Sequence, residues 1–169
     1  YRERIVTTAI GDNQASFLGA AGNEKNTLLV NMGTGGQISV LSDQYFTAEG
    51  IEARPFLHGD YLLAGASLCG GKAYALLEKF FREFVKEATG QERPLYQILE
   101  KLARDGKASS AGKETKQKLQ IETTFDGTRV HPEQSGSITN LSADNFTPAA
   151  FVYGTLEGMS RELYKRYKM

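Results

Sequence analysis

Two features of the sequence carry residue types that could do chemistry together. Asp12 follows the apolar run IVTTAIG and precedes a short helical stretch, so its carboxylate is expected at the end of a strand, where α/β proteins often place their sites. The run GTGG at residues 33–36 joins two predicted strands and has few side chains to obstruct its backbone. The carboxylate could accept a proton from a hydroxyl, while the turn amides and the Thr34 hydroxyl could hold a phosphate.

Each feature also has a plainer interpretation. An aspartate at the start of a helix is a favoured N-cap, so Asp12 could cap, act as a base, or do both with its two oxygens. Glycines in a hairpin suit the positive φ angles of a type I′ turn. Residues 33–36 are not a Walker A loop, because no GKS or GKT follows them.

Three other positions leave a choice between structure and ligand binding. Gly70 and Gly71 open the longest predicted helix, either as a tight entry or as backbone that a ligand can approach closely. An anion is favoured at a helix N-terminus, which would suit a nucleotide. Arg129, in FDGTR at residues 125–129, could pair with a carboxylate or a phosphate, or have a solvated or structural role.

The remaining reactive residue types predict no further site. Cys69 has no neighbouring signal for thiolate activation, so a buried apolar role is expected. His58 and His131 lie far apart and are interpreted as loop residues. No CxxC or HExxH spacing occurs, and the sequence therefore predicts no metal ligands.

Composition is typical of one globular domain and excludes several partner classes. The 169 residues suffice for a single core, and 20 basic residues balance 20 acidic ones. That balance gives no electrostatic reason to expect nucleic acid or an anionic membrane. No apolar run is long enough to span a bilayer. A single cysteine is compatible with a reducing compartment, and we expect a cytoplasmic protein.

Hydrophobic periodicity predicts strands that come first and helices that are interleaved later. Strand patterns occur at residues 4–10, 27–32, 37–41 and 119–125, and residues 53–57 and 61–68 suggest two more strands or a strand and a helix entry. Helical patterns occur at residues 13–20, 71–89 with Gly90 as a cap, 94–104, and from Thr147-Pro148 onward. Residues 105–118 are predicted to be a loop, and residues 126–140 to be turn-rich.

Two of these helices have clear apolar stripes. The first stripe consists of Ala73, Leu76, Leu77, Phe80, Phe81, Phe84 and Val85. The second is expected to be buried and consists of Val152, Leu156, Met159, Leu163 and Tyr167. The pattern predicts a mixed α/β domain over residues 1–169 with a hairpin in its sheet. Because the chain starts without methionine and stops inside a helical pattern, we expect a piece of a longer protein.

Five blocks, in order along nearly the whole chain, resemble motifs of the C-terminal domain of the FGGY carbohydrate kinases. They are GDNQA at residues 11–15, NMGTG at 31–35, AGASLCGG at 64–71, FDGTR at 125–129, and Phe146-Thr147 with LEGM at 156–159. Within that family, residues 11–20, 61–75 and 131–141 are most similar to sedoheptulokinases. The resemblance implies an actin-like ATPase domain of the ribonuclease-H-like fold, with its sheet flanked by helices.

The resemblance also implies ATP-dependent phosphorylation of a sugar hydroxyl, with Mg²⁺ on the nucleotide. The sugar would be a ketose such as sedoheptulose, and xylulose, ribulose and glycerol are alternatives. The implied roles are Asp12 as general base, Asn13 beside the sugar, Gly33, Thr34 and Gly35 along the phosphates, and Gly70 with Gly71 close to the nucleotide.

The same resemblance implies that this chain is only part of the machinery. The first phosphate loop and most of the sugar pocket belong to an N-terminal domain of the family, and the adenosine motif follows the final helix. We therefore expect no sugar phosphorylation by the isolated chain, and an apolar face through which copies could pair. A non-catalytic regulatory or assembly domain on the same scaffold, and an unrelated binding domain whose GTGG is only a turn, are the competing interpretations.

Overall fold

The computed structural model describes residues 9–114 and 117–169, which form a mixed α/β domain. Its helices are α1 (Asp12–Ala21), α2 (Gly71–Thr89), α3 (Tyr96–Ser110) and α4 (Pro148–Tyr167). Its strands are β1 (Leu29–Met32), β2 (Gly36–Ser42), β3 (Ile51–Pro55), β4 (Tyr61–Ser67), β5 (Gln120–Glu122) and β6 (Ser137–Thr139). None of the helices in the described part is both long and apolar enough to cross a bilayer.

The main sheet is antiparallel, with strand order β1-β2-β4-β3. Met32 pairs with Gly36, which confirms the predicted hairpin and leaves a three-residue turn at its tip. β3 and β4 are both strands, so the two-strand interpretation of residues 53–57 and 61–68 is confirmed. The strand predicted at residues 4–10 lies outside the described residues, except for Ala9 and Ile10, which have no regular structure.

Helices cover both faces of this sheet. Successive side chains of each strand point to opposite faces, so each face has its own set of residues for a helix to pack against. On one face, Phe17 of α1 packs against Leu41 and Leu62, and its ring meets Phe56 edge-on at 6.0 Å. On the other face, Gly36 and Gly65 have no side chain, and Leu163 and Arg166 of α4 lie directly over them. Phe17 is thus the buried side chain of α1.

A buried carboxylate joins α2 to α3. Glu78 Oε1 accepts a hydrogen bond from the Leu95 N–H at 3.0 Å, just before the first turn of α3. Glu78 Oε2 accepts one from Arg82 Nε at 3.3 Å, within the same helix. The carboxylate is buried, and it satisfies a backbone donor at the start of the neighbouring helix.

The sequence prediction of a loop at residues 105–118 is wrong for residues 105–110, because α3 continues to Ser110. This stretch carries no large apolar side chain, and its helical packing depends on small residues. Gly106 is buried, and a Cβ there would collide with the Ala149 backbone and lie 2.6 Å from Tyr153 Cβ. A missing side chain, which lowers intrinsic helix propensity, therefore lets α3 approach α4 closely.

The periodic helices are confirmed at the positions predicted, although their stripes are only partly covered. Leu77, Phe81 and Val85 pack against Leu95, Leu99 and Val152. Ala73 is also buried, whereas the other residues of the α2 stripe are open: Phe80 is 66% exposed and Phe84 is 70% exposed. We call Leu76, Phe80 and Phe84 the open stripe.

The final helix begins with the predicted cap, since Thr147 Oγ1 accepts a hydrogen bond from the Ala150 N–H at 3.2 Å. Val152, Met159 and Leu163 are buried as predicted, whereas Tyr167 is exposed at the end of the helix. Strand β5 is shorter than predicted, and β6 pairs with it inside the region predicted to be only turns.

Adding a methyl group at Gly106 should destabilise the protein by about 1–3 kcal/mol, because the Ala149 backbone has to move. The matched control is Gly19→Ala in α1, where a Cβ meets nothing within 4 Å. That variant should gain about 0.5–1 kcal/mol from higher helix propensity. Urea unfolding of both variants measures the difference, and a Gly106→Ala protein as stable as wild type would contradict the close α3–α4 contact.

Candidate functional site

The glycine turn of the β1–β2 hairpin is hydrogen-bonded to the start of α2. Gly71 N donates to Gly33 O at 2.8 Å, while Gly70 N and Lys72 N both donate to Thr34 O, at 3.0 and 3.1 Å. The first N–H groups of a helix have no partner within the helix. Here the turn carbonyls satisfy them, so these three donors are not available to an anion at the N-terminus of α2.

Close approach explains the glycines on both sides of this contact. A Cβ on Gly70 would collide with the Gly35 backbone, and a Cβ on Gly71 would lie 2.6 Å from Gly33 O. None of the turn glycines has a positive φ, so the type I′ interpretation is wrong. Gly70 and Gly71 are therefore glycines because two backbones meet there.

This contact also decides which way the amides of the turn face. All described peptide bonds are trans, and in a trans peptide the N–H points opposite to the C=O of the same plane. Since Gly33 O and Thr34 O point toward α2, the N–H groups of Thr34 and Gly35 point away from it. Within residues 9–114 and 117–169, neither N–H donates to a backbone acceptor. The turn thus presents two adjacent outward donors.

A hollow of about 390 Å³ opens beside this turn. Its lining includes the backbone of Gly33, Gly35 and Gly36, and neutral polar side chains from Asn31, Gln37 and Ser67. Arg129 supplies the charged side chain in the lining. We call this space the turn hollow. Backbone donors, neutral amides and one guanidinium are suited to an anion with several oxygens.

The FDGTR block brings Arg129 to the turn hollow. Asp126 Oδ1 lies 2.8 Å from Lys72 Nζ, which ties the block to the first turn of α2. Gly127 has a φ of 71°, and a Cβ there would lie 2.5 Å from Pro132 O, so only glycine fits this bend. Sequence reasoning left the role of Arg129 open, and the signal for its position was its place two residues after that glycine.

Asp12 and Asn13 lie at the start of α1, outside the turn hollow. Gly11 occupies the N-cap position without a side-chain cap, and Asp12 Oδ1 accepts the Asn13 N–H at 2.7 Å. Gln14 Nε2 donates to Pro55 O at 3.3 Å, which places this end of α1 beside the end of β3. The N-cap prediction for Asp12 is therefore wrong, and its carboxylate is exposed.

The Asp12 helix and the turn hollow share one face of the sheet. Gln37 and Ala66 line the hollow and pair with each other across β2 and β4. They lie an even number of residues from Leu41 and Leu62, against which Phe17 packs, so all four side chains are on the same face. Helix α1 and these side chains of the hollow are therefore on the same face of the sheet. Asp12 is not among the described residues that line the turn hollow.

Cys69 and His131 lie outside the turn hollow. Cys69 is buried against Ala73 and Met159, as predicted. Burial is the main reason that the pKa of its thiol is raised, which keeps it protonated and unreactive. His131 lies 3.4 Å from Glu49 on an exposed loop.

No protein-family model and no curated protein sequence matches the chain. Solved structures do match its fold. Xylulose kinase from Rhodospirillum rubrum has a TM-score of 0.76 and 23% identity, over 93% of this chain and 30% of that one. Xylulose kinase from Lactobacillus acidophilus has a TM-score of 0.70 and 19% identity, over 93% and 30%. Gluconate kinase from the same organism has a TM-score of 0.60 and 21% identity, over 81% and 26%.

These likenesses confirm the predicted fold class. The chain has the mixed α/β fold of one part of these carbohydrate kinases, and it spans about 30% of their length. At identities near 20%, structural likeness shows a shared fold and does not by itself carry a function.

The Gly71→Ala variant should lose about 1–3 kcal/mol of stability, because its Cβ collides with Gly33 O. It should also shift the amide resonances of Thr34 and Gly35, since the turn must move. Gly33→Ala is the control: a Cβ there meets nothing within 4 Å, so its stability should change by less than about 0.5 kcal/mol. Equal effects of the two variants, measured by urea unfolding and ¹H–¹⁵N spectra, would refute the turn–helix contact.

Proposed function

We propose that this chain is the phosphate-holding part of an ATP-dependent sugar kinase. The observation that carries the proposal is the glycine turn fixed by α2: the N–H groups of Thr34 and Gly35 face away from the helix, and Gly35 lines the turn hollow together with Arg129. Phosphoryl transfer depends mainly on positioning and charge stabilisation, which backbone donors and a guanidinium supply. Gly70 and Gly71 contribute by letting α2 approach and orient the turn.

The residues of the turn hollow fit the phosphates of ATP. Its lining combines the backbone of Gly33, Gly35 and Gly36 with neutral polar side chains and one cation, and none of the described residues that line it carries a carboxylate that would repel an anion. Mg²⁺ would neutralise part of the triphosphate charge when bound. Since none of the described residues that line the hollow carries a carboxylate, phosphate oxygens would be the main ligands of the metal there.

Asp12 is the proposed general base and Asn13 the proposed sugar contact. An exposed carboxylate can accept the proton of a sugar hydroxyl as that hydroxyl attacks phosphorus. The Asn13 amide, half-buried beside it, can donate to or accept from a second hydroxyl. Since Asp12 does not line the turn hollow, the sugar would bridge the two, with the remaining walls supplied by chain beyond these residues, such as the N-terminal domain.

We propose a ketose as the acceptor, with sedoheptulose favoured by the motifs at residues 11–20, 61–75 and 131–141. Xylulose is the principal alternative, because several structures of the same fold are xylulose kinases. A non-catalytic domain on this scaffold is the second candidate function. The observation that favours it is the position of Asp12 outside the turn hollow.

The complete reading frame that contains this chain should consume ATP with a ketose and not with buffer alone. A panel of sedoheptulose, xylulose, ribulose, gluconate and glycerol, followed by ADP release, identifies the acceptor. In the same protein, Asp12→Asn should lower turnover by about 10²–10⁴-fold because the proton acceptor is lost. Nucleotide affinity should stay close to wild type, since Asp12 does not line the turn hollow.

Asp105→Asn is the matched control. This substitution removes the same charge, and Asp105 is an exposed residue of α3. It should leave turnover unchanged. Unchanged turnover in Asp12→Asn would remove this residue from the mechanism. ATP consumption with none of the five sugars, together with normal folding, would favour the non-catalytic function.

We also propose that copies of the chain pair through the open stripe of α2. Lys79 and Glu83 flank this stripe and are exposed. Two antiparallel α2 helices would place Lys79 opposite the partner's Glu83 while covering both sets of apolar side chains. Sedimentation velocity should show concentration-dependent association that Phe80→Glu abolishes. Tyr45→Glu is the control and should still associate. The Tyr45 ring packs on Tyr61, at the end of β4 that is far from α2.

A further inference from the structure

Arg129 is held at the turn hollow by an ion pair that is easily exchanged. Arg129 Nη1 lies 2.7 Å from Glu52 Oε1, and the two side chains are 54% and 50% exposed. Pairs this accessible to water stabilise a protein weakly. An anion with higher charge density in the hollow could therefore compete with Glu52 for this guanidinium.

Glu52 does not depend on Arg129 for its charge. Its other oxygen, Oε2, accepts a hydrogen bond from Arg54 Nη2 at 2.8 Å. The hydrogen bond from Arg54 is the largest cause of the lowered pKa of Glu52, and Arg129 contributes less. If Arg129 left, Glu52 would remain ionised and paired with Arg54.

The backbone that carries Arg129 is fixed, so only its side chain would move. The Lys72–Asp126 pair anchors the block on one side, and the Thr128 N–H donates to His131 O at 2.9 Å on the other. Arg129 already lines the turn hollow together with Gly33 and Gly35, and Gly35 carries one of the two outward amides. A short swing of the side chain would bring it onto an anion bound there.

We propose that Arg129 is a phosphate-sensing residue that exchanges Glu52 for phosphoryl oxygens bound at the turn, while Arg54 keeps Glu52 paired. This inference rests on the proposed function, because it takes the turn hollow as a phosphate site. A planar guanidinium can bind two phosphoryl oxygens at once, in addition to the two backbone donors. Glu52 then acts as a competitor that lowers affinity for singly charged anions.

The test is binding of pyrophosphate to the full 169-residue chain at neutral pH and low salt, followed by ¹H–¹⁵N spectra. Pyrophosphate should shift the Thr34 and Gly35 amides and the Arg129 Nε–H. Arg129→Ala should weaken binding by about tenfold or more, and Arg129→Lys should restore only part of it, because lysine lacks the two-pronged donor geometry.

Glu52→Gln is the decisive variant, because exchange predicts tighter binding. Removal of the competing carboxylate should raise pyrophosphate affinity several-fold. The matched control is Glu92→Gln, which removes the same charge from another carboxylate held by two cations, Arg82 and Lys86. That variant should bind pyrophosphate like wild type, which separates the effect of exchange from the effect of net charge.

Three outcomes would overturn the proposal: no shift with pyrophosphate, unchanged affinity in Arg129→Ala, or weaker binding in Glu52→Gln. None of these measurements needs ATP or a sugar. If pyrophosphate binding follows Arg129 and Glu52 while the complete protein phosphorylates nothing, the sensing role stands and the kinase proposal fails.

Discussion

The geometry of the site depends on the hydrogen bonds between the β1–β2 turn and the first residues of α2. Gly33 O and Thr34 O receive the N–H groups of residues 70–72, and the contact forms only because no Cβ lies between the two backbones. The bonds satisfy the start of the helix and turn the opposite edge of the same peptide planes outward. Structural support and ligand donors therefore come from one set of peptide units.

The rest of the site is arranged around this contact. Lys72 lies in the first turn of α2 and holds Asp126, and the FDGTR block then carries Arg129 to the hollow. Glu52 and Arg54 on β3 pair with one another and with Arg129. Ion pairs from a strand and a helix thus hold the FDGTR block, although each pair alone is too exposed to stabilise the fold much.

Local signals predicted the elements well and failed where contacts between distant segments decide. Gly90 and Thr147 ended and began their helices where the sequence indicated, because caps act within one turn. The second half of α3 was missed, because its packing uses Gly106 and not an apolar stripe. The type I′ turn and the Asp12 cap were wrong, because propensity identified the residues without identifying the neighbours that constrain them.

The sequence by itself determined the mixed α/β class, the hairpin, the long helices and the residues with suitable chemistry, because periodicity and glycine spacing are local properties of the chain. Only the tertiary structure decided that Gly70 and Gly71 serve the turn, that Arg129 lines the hollow, and that Asp12 lies outside it on the same sheet face. Those outcomes depend on which backbone groups meet across long stretches of chain, and no local pattern records the direction in which a peptide plane faces.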